Sequence, residues 1–228
     1  MNIAVIPARG GSKRIPRKNV KEFAGKPMIA YAITVARQSG LFDHVIVSTD
    51  DQQIVETAKV WGAEIPFIRP QKLADDHTTT VPVIAHAITE IRKKGWIADY
   101  VCCIYPAVPF LKANDLELSL LQVKQGLAEF SFAVTEFPSA IQRALKLETQ
   151  GRSWPFYPEY ELIRTQDLEP AYYDAGQFYW GSAEAWLKNP KLHSQGFGHI
   201  LPNWRVIDID TPDDWKRAEL MYQMLAYK

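Results

Sequence analysis

Short apolar runs alternate with stretches of helical periodicity along most of this 228-residue chain. This alternation predicts strands joined by crossover helices, and therefore an α/β fold with a mostly parallel sheet and helices on both faces. The predicted strands are residues 2–6, 44–48, 64–68, 100–105, 129–134, 176–180 and 205–209. The predicted helices are one from residue 28 to Gly40, one over 52–61, one ending at Gly95, two over 114–125 and 182–187, and one that Thr211 caps and that runs to Tyr227.

The alternation breaks between residues 136 and 173, where turn residues and aromatics replace it. Only short strand-like pieces, such as residues 144–148, interrupt this segment. We therefore expect a single domain, residues 1–228, with an inserted arm at about 136–173. Such an arm serves oligomerisation or acts as a lid, or else it is a plain surface excursion.

The charges of the chain balance, with 26 Lys plus Arg against 26 Asp plus Glu. No overall field would attract nucleic acid or an anionic membrane, so we expect neither as a partner. No apolar stretch has the length of a membrane span, and the opening apolar run is too short for a signal peptide. Adjacent Cys102 and Cys103 fall in an apolar run, which indicates buried thiols and no disulfide framework. We expect a cytoplasmic protein.

The segment IPARGGSKRIPRKN, residues 6–19, follows the first predicted strand and concentrates positive charge in a glycine turn. Its backbone amides at Gly10, Gly11 and Ser12 can approach phosphate oxygens closely, because glycine has no Cβ. The five cations are Arg9, Lys13, Arg14, Arg17 and Lys18. So many like charges repel one another unless an anion joins them, so the segment predicts a polyphosphate site. A solvated basic loop is the alternative.

Asp208 and Asp210 stand in IDIDTPDD, near the end of the chain. In an extended segment this spacing points both carboxylates to one side. Mg²⁺ suits such a pair because it accepts carboxylate oxygens, water and phosphates together. Alternatively, Asp210 only caps the last helix. A basic turn together with an acidic pair indicates a nucleotidyltransferase.

With these motifs, the chain resembles the CMP-sugar-acid synthetases, the cytidylyltransferases that include CMP-sialic acid synthetase. The resemblance extends over nearly the whole sequence. Besides the two segments above it rests on STDD, RP followed by LADD, YPAVPFL and AGQFYW. It implies a Rossmann-like nucleotidyltransferase fold whose arm exchanges across a homodimer, CTP and a nine-carbon sugar acid as substrates, and Mg²⁺ as cofactor.

The resemblance also implies roles for individual residues. Arg9, Lys13, Asp208 and Asp210 would be catalytic, with both aspartates holding the metal. Residues that would bind the nucleotide are Arg9, Gly10, Gly11, Ser12, Lys13, Lys18, Asn19 and Arg69. Asn19 and Arg69 among them would read the cytosine. Residues that would bind the sugar acid are Tyr105, Arg164, Gln177, Phe178 and Tyr179, with Arg164 offered by the arm to the neighbouring subunit.

The departures from sialic acid synthetases lie on the acceptor side. Tyr105-Pro-Ala-Val-Pro109 replaces a Gln-Pro-Thr-Ser-Pro run, and Ala175 replaces the Asn of an Asn-Gly pair. Fewer polar side chains favour a less hydroxylated acid, since an unpaired buried hydroxyl costs about 1–3 kcal/mol. The run EPAYYDAGQFYWG resembles pseudaminic acid cytidylyltransferases, so we expect CMP-pseudaminic acid as the product.

Several alternatives stay open. Sialic or legionaminic acid is the next acceptor, and drift within the family could leave the acceptor unchanged. A CMP-Kdo synthetase or a hexose-1-phosphate nucleotidyltransferase would share the phosphate turn. A nucleotide-binding module without catalysis is the alternative of another class, and the presence of both Asp208 and Asp210 argues against it.

Overall fold

The structure, a computed structural model, describes residues 1–226 of the chain. In that range the strands are β1 Asn2–Pro7, β2 Glu22–Phe23, β3 Lys26–Pro27, β4 His44–Ser48, β5 Tyr100–Ile104, β6 Phe130–Glu136, β7 Leu145–Leu147, β8 Ser153–Pro155, β9 Tyr172–Ser182 and β10 Gly196–Ile200. The α-helices are α1 Met28–Gln38, α2 Gln52–Val60, α3 Thr80–Arg92, α4 Ala113–Lys124, α5 Ala183–Lys188 and α6 Pro212–Ala226.

Six strands form one mixed sheet in the order β10-β6-β9-β5-β1-β4. β1 runs parallel to β4 and to β5, and β10 runs parallel to β6. β9 is antiparallel to both of its neighbours. The predicted α/β class with a mostly parallel sheet is thus confirmed, although an antiparallel strand lies inside the sheet.

Helices cover both faces of the sheet, as predicted. α1, α2 and α4 pack on one face around Ile6 and Ile104, whereas α3 and α5 pack on the other around Val5 and Cys103. Alternate residues of one strand therefore enter opposite cores, as the two-residue period requires. Burial of each large aliphatic side chain stabilises the fold by about 1.5–3 kcal/mol.

Two predicted strands are wrong. Residues 64–68 contribute only an isolated bridge from Glu64 to Ile46, because Pro66 cannot donate to a ladder. Residues 205–209 do not pair either; a 3₁₀ turn, Asn203–Arg205, leads into an irregular segment. Its apolar residues Ile207 and Ile209 are buried against α6 instead of in the sheet.

The edge strand β10 was not predicted, because two of its five residues are glycines. The structure explains these glycines. A Cβ on Gly196 would overlap the ring of Phe132, and one on Gly198 would lie 2.9 Å from Val134. Side-chain crowding from β6 therefore requires glycine at both positions.

Between β6 and β9, where the arm was predicted at about 136–173, most of the chain is irregular. This segment carries the β7–β8 hairpin, which includes the predicted piece at 144–148, and short 3₁₀ turns. The side chain of Arg143 ties the arm together by donating to the backbone oxygens of Glu161 and Ile163.

α6 packs against the part of the chain between the basic turn and the middle of α1. Its first turn is capped through Thr211 Oγ1, which accepts from the Asp214 amide at 3.2 Å, as predicted. Trp215 of α6 packs edge to face on Phe23 of β2, in a cluster with Ile15, Ile207 and Ile209. The predicted helix end at Tyr227 lies outside the described residues. None of the helices within residues 1–226 combines the length and apolar composition that crossing a bilayer requires.

Candidate active site

A cavity of about 380 Å³ opens at the carboxyl ends of β1 and β5. Parallel α/β sheets place their ligand sites at this edge. The segment after β1, the loop after β5 and the segment before α6 all contribute to the wall. Predicted site residues that line it are Arg9, Ser12, Lys18, Asn19, Arg69, Tyr105, Asp208 and Asp210.

The glycine turn after β1 is held by the two acids that follow β4. The Gly10 amide donates to Asp50 Oδ1 at 3.1 Å, and a Cβ on Gly10 would lie 2.8 Å from Asp51 Oδ2. The Ser12 amide donates to the Gly10 oxygen. The predicted row of three open amides is therefore not present, and within residues 1–226 only the Gly11 amide of this row is without a partner.

Three carboxylates form ion pairs with the five cations of the basic turn. Asp76 pairs with Arg9, at 2.8 Å from Nη1 to Oδ1, and with Lys13. Asp210 pairs with Arg14 at 2.5 Å and with Lys18 at 3.1 Å. The third, Asp51, pairs with Arg17. The repulsion that predicted a polyanion is thus relieved inside the chain, and a bound anion would have to compete with these acids.

Arg17 has a structural role. Its backbone has a φ of 57°, in the left-handed region, and its guanidinium makes two hydrogen bonds of 2.6 and 2.8 Å to Asp51. Asp51 also accepts from the Ile54 amide and so caps α2. The Arg17 hydrogen bond lowers the pKa of Asp51, and the same contact raises the pKa of Arg17.

Arg69 and Asn19 form the buried floor of the cavity. The Arg69 side chain hydrogen bonds to Ser48 and, among residues 1–226, has no carboxylate as ion-pair partner. Burial lowers its pKa to about 10. Asn19 donates through Nδ2 to the Arg9 oxygen at 3.0 Å, but its buried Oδ1 has no partner in this part of the chain. The Asn19 oxygen is a buried acceptor without a donor, and a ligand could satisfy it beside the buried charge of Arg69.

Asp208 and Asp210 reach the cavity from the segment before α6. Partial burial and the charge of Asp210 raise the pKa of Asp208, although part of the Asp208 side chain is exposed to solvent. Two crowded carboxylates of this kind suit a divalent cation, which would relieve their repulsion. Residues 1–226 contain no cluster of three or more His, Cys, Asp or Glu side chains that could hold a metal.

Seven predicted residues do not line the cavity, and two of them are Gly10 and Gly11 of the basic turn. Phe178 and Tyr179 are buried in the sheet, and Gln177 Nε2 donates to the Arg205 oxygen behind the cavity wall. Arg164 lies on the arm, paired with Asp167 at 2.8 Å. Gln177, Phe178 and Tyr179 are therefore absent from the cavity lining, and their contacts with the sugar acid stay predictions. Lys13, with a side chain 80% exposed, stands outside the wall beside Asp76.

Sequence reasoning gave no role to four residues that shape the site. Asp50 and Asp76 bind parts of the basic turn, and Thr80 and Gly176 line the cavity. A signal for the two acids exists, because they stand in the motifs STDD and LADD. Nothing local indicates Thr80, whose hydroxyl lies 2.7 Å from that of Tyr105.

Comparisons with known proteins find a matching family model and several similar proteins. A family model described as Cytidylyltransferase matches residues 3–153. A pseudaminic acid cytidylyltransferase of Campylobacter jejuni subsp. jejuni serotype O:23/36 (strain 81-176) is 42% identical over 226 residues, which cover 98% of this chain and 97% of that protein. A CMP-N,N'-diacetyllegionaminic acid synthase of Legionella pneumophila subsp. pneumophila (strain Philadelphia 1) is 30% identical over 230 residues, covering 97% and 96%.

A solved structure shares the fold. The structure of a CMP:2-keto-3-deoxy-manno-octonic acid synthetase complexed with CTP matches with a TM-score of 0.69 at 17% identity, covering 98% of this chain and 99% of that one. The predicted Rossmann-like nucleotidyltransferase fold is confirmed by this match.

Proposed function

Since the chain belongs to the cytidylyltransferase family, we propose that it joins pseudaminic acid to the cytidylyl group of CTP, forming CMP-pseudaminic acid and pyrophosphate. The relatives named as pseudaminic acid cytidylyltransferases are 42% identical over 98% of this chain, against 30% for the legionaminic acid synthase. We therefore propose pseudaminic acid as the acceptor, because it is the acid in the names of the more similar relatives.

The observation that carries this proposal is the meeting of the two charged segments in one cavity. Arg9, Ser12 and Lys18 line it from the amino-terminal turn, and Asp208 and Asp210 line it from the segment before α6. A triphosphate needs cations on its oxygens, and its metal needs carboxylates within reach. Both requirements are met at one wall.

The floor of the cavity fits cytosine. The open Oδ1 of Asn19 can accept a hydrogen bond from the 4-amino group, which uracil lacks. Arg69 can donate to the ring carbonyl. Uracil would leave the buried Asn19 Oδ1 unpaired, at a cost of about 1–3 kcal/mol.

Mg²⁺ is the cofactor that fits the acidic pair. Asp208 and Asp210 would hold it, and when bound it neutralises phosphate charge and orients the α-phosphate. Asp210 already contacts Arg14 and Lys18, so these two cations set its position before any metal arrives.

In the proposed reaction the anomeric hydroxyl of the sugar acid attacks the α-phosphorus, and the bond to the bridging oxygen of pyrophosphate breaks. Arg9 and Lys18 would offset the charge on the departing pyrophosphate, with Lys13 at the rim. The protein mainly holds the reactants in line, which lowers the entropic part of the barrier.

Tyr105 and Thr80 form the wall on which we place the acceptor. Burial raises the pKa of Tyr105, so its hydroxyl stays protonated at neutral pH. The neighbouring Ala107 and Gly176 offer no polar side chain. A substrate with an apolar end fits such a wall better than one that carries hydroxyls.

We also propose a homodimer formed through the arm. Its apolar side chains are unusually exposed for a monomer: Leu145, Leu147, Trp154, Phe156, Tyr157 and Leu162. Leu162→Glu should shift sedimentation from dimer to monomer, whereas Val60→Glu on α2, also largely exposed, should not. If both variants sediment as the wild type does, the arm is not the interface. That Arg164 enters the cavity of the partner subunit stays a prediction. A cytoplasmic location also stays a prediction.

The deciding experiment measures pyrophosphate release from CTP with pseudaminic, legionaminic, sialic and Kdo acids in turn, with Mg²⁺ present. We expect the highest kcat/KM with pseudaminic acid. If another acid gives a higher kcat/KM, that acid and not pseudaminic acid is the acceptor. CTP binding without release in the presence of any acid would indicate a nucleotide-binding module without catalysis.

A further inference from the structure

The pairing of β9 with β6 is interrupted beside the cavity. Phe132 pairs with Tyr179 and Val134 pairs with Asp174, so residues 175–178 of β9 have a single residue opposite them on β6. The same stretch stays attached to β5, where the Tyr105 amide donates to the Gln177 oxygen at 2.8 Å. β9 therefore bulges away from one neighbour only.

The bulge forms part of the cavity wall. Gly176, at its centre, has a φ of 60° and lines the cavity. A side chain at this position would strain the backbone, and its absence leaves room next to Tyr105.

The carboxylate of Asp174 makes hydrogen bonds across the bulge. Asp174 Oδ1 accepts from the Gly176 amide at 2.9 Å. Its Oδ2 accepts from the Tyr179 hydroxyl at 2.7 Å and lies 2.8 Å from His193 Nε2. Three groups thus converge on Asp174, and bonds to an ionised acceptor are stronger than neutral ones.

Tyr179 also contacts Tyr105, which belongs to the cavity wall. The rings of Tyr179 and Tyr105 lie 5.4 Å apart, and burial raises the pKa of both hydroxyls. Tyr105 in turn meets Thr80 in the cavity. Within residues 1–226, the hydrogen bonds and ion pairs of Asp174 go to Gly176, Tyr179 and His193, and none of them reaches the basic turn or Arg69.

We propose that Asp174 is a positioning residue for the sugar acid. It fixes the Gly176 turn directly and the Tyr105 ring through Tyr179, and so keeps the acceptor wall in shape before the substrate arrives. This inference rests on the proposed function, which places the acid against Tyr105 and Gly176. The nucleotide side of the cavity does not depend on it.

The test is Asp174→Asn, assayed for pyrophosphate release with CTP and pseudaminic acid. An amide has one acceptor oxygen, so it cannot accept from the Gly176 amide on one side and from the Tyr179 hydroxyl on the other, and the wall loosens although the side-chain volume is kept. We expect the KM for the acid to rise about 10-fold or more, with the KM for CTP changed by less than about 2-fold. Asp213→Asn, an exposed residue at the start of α6, is the matched control and should leave both constants unchanged.

Tyr179→Phe is the second variant and serves also if Asp174→Asn does not fold. It removes one donor to Asp174 and keeps the ring beside Tyr105, so the KM for the acid should rise by a smaller factor, about 3-fold. Equal rises in both KM values would mean general damage and would overturn the inference, as would an unchanged KM for the acid. A wild-type protein that releases no pyrophosphate with any acid would overturn the proposed function and this inference with it.

Discussion

Arg14 and Asp210, 196 positions apart in the chain, form an ion pair with 2.5 Å between Nη2 and Oδ2. Lys18 joins them by donating to Asp210 Oδ1 and to the Ile209 oxygen. The pair lies at the cavity, and the cluster around Phe23 and Trp215 packs beside it. The two charged segments are therefore held together by contacts of the chain itself, without any ligand.

This relationship leads to a prediction for Asp210. In Asp210→Asn the proposed Mg²⁺ site would lose one carboxylate, while Arg14 and Lys18 lose a competitor for phosphate. We expect kcat to fall by at least about 100-fold. The Kd for CTP should change by less than about 5-fold, since an exposed pair contributes about 0–1 kcal/mol. Kinetics in Mg²⁺ and calorimetric CTP titration measure both, with Asp213→Asn as the control. If the variant turns over at a near-normal rate, Asp210 is not a metal ligand.

A second prediction concerns Asp76, which occupies Arg9 and Lys13 when no nucleotide is bound. Both cations lower the pKa of this exposed carboxylate, so it stays charged and competes with phosphate at neutral pH. Asp76→Asn should therefore tighten CTP binding by about 2–5-fold in low salt. The gain should shrink in high salt, where the pairs are screened.

Calorimetric titration with CTP at two salt concentrations checks the Asp76 prediction. Glu90→Gln, which breaks an exposed pair with Lys93 far along α3, is the control and should leave CTP affinity unchanged. Weaker CTP binding by Asp76→Asn would mean that the carboxylate aligns the two cations for the triphosphate, the opposite of competition.

The sequence predicted those parts of the fold whose signals are local. β1 and α1 follow from apolar periodicity, and the cap of α2 follows from Asp51 directly before the helix. Residues 205–209 have the same apolar pattern as a strand, yet Ile207 and Ile209 are buried on α6. Periodicity reports that a side chain is buried, and not which element buries it.

For the site, the sequence predicted the charged residues and the chemistry they indicate, but not how they pair. The residue types at Arg9, Ser12, Lys18 and Asp208 are enough to indicate phosphate and metal chemistry. The pairing of each cation depends on contacts between distant segments, such as Arg9 with Asp76, for which no local signal exists. The direction of Gln177 depends on the bulge in β9, and a bulge shifts every later side chain from the face that simple alternation predicts.

Asn19 yields a prediction about base selection. Its open Oδ1 would accept from the amino group of cytosine, so Asn19→Ala should lose discrimination between CTP and UTP. We expect the ratio of kcat/KM values, CTP over UTP, to fall at least about 10-fold, the equivalent of one buried hydrogen bond. Ser39→Ala, which removes a half-buried hydroxyl at the end of α1, is the control. The ratio is the informative readout, because partial unfolding would lower both activities equally. An unchanged ratio would assign base selection elsewhere.

Asp115 and Arg205 give the last prediction, which concerns acid stability. Arg205 makes two hydrogen bonds to Asp115, at 2.5 and 3.0 Å, and both side chains are buried. Burial by itself would raise the pKa of Asp115, but hydrogen bonds from His199 and Arg205 outweigh it and lower the pKa to about 2.

Because the folded pKa of Asp115 lies below its ordinary value, the pair stabilises the fold fully above about pH 4, and this stabilisation, about 2 kcal/mol, is lost as the pH falls toward 2. Asp115→Asn should lower the free energy of unfolding by about 3–5 kcal/mol at pH 6, since it leaves the Arg205 charge buried and unpaired. The difference between variant and wild type should narrow at pH 3. Urea denaturation at both pH values measures it, with Asp213→Asn as the control. A difference that is the same at pH 6 and pH 3 would mean that the carboxylate charge of Asp115 does not stabilise the fold.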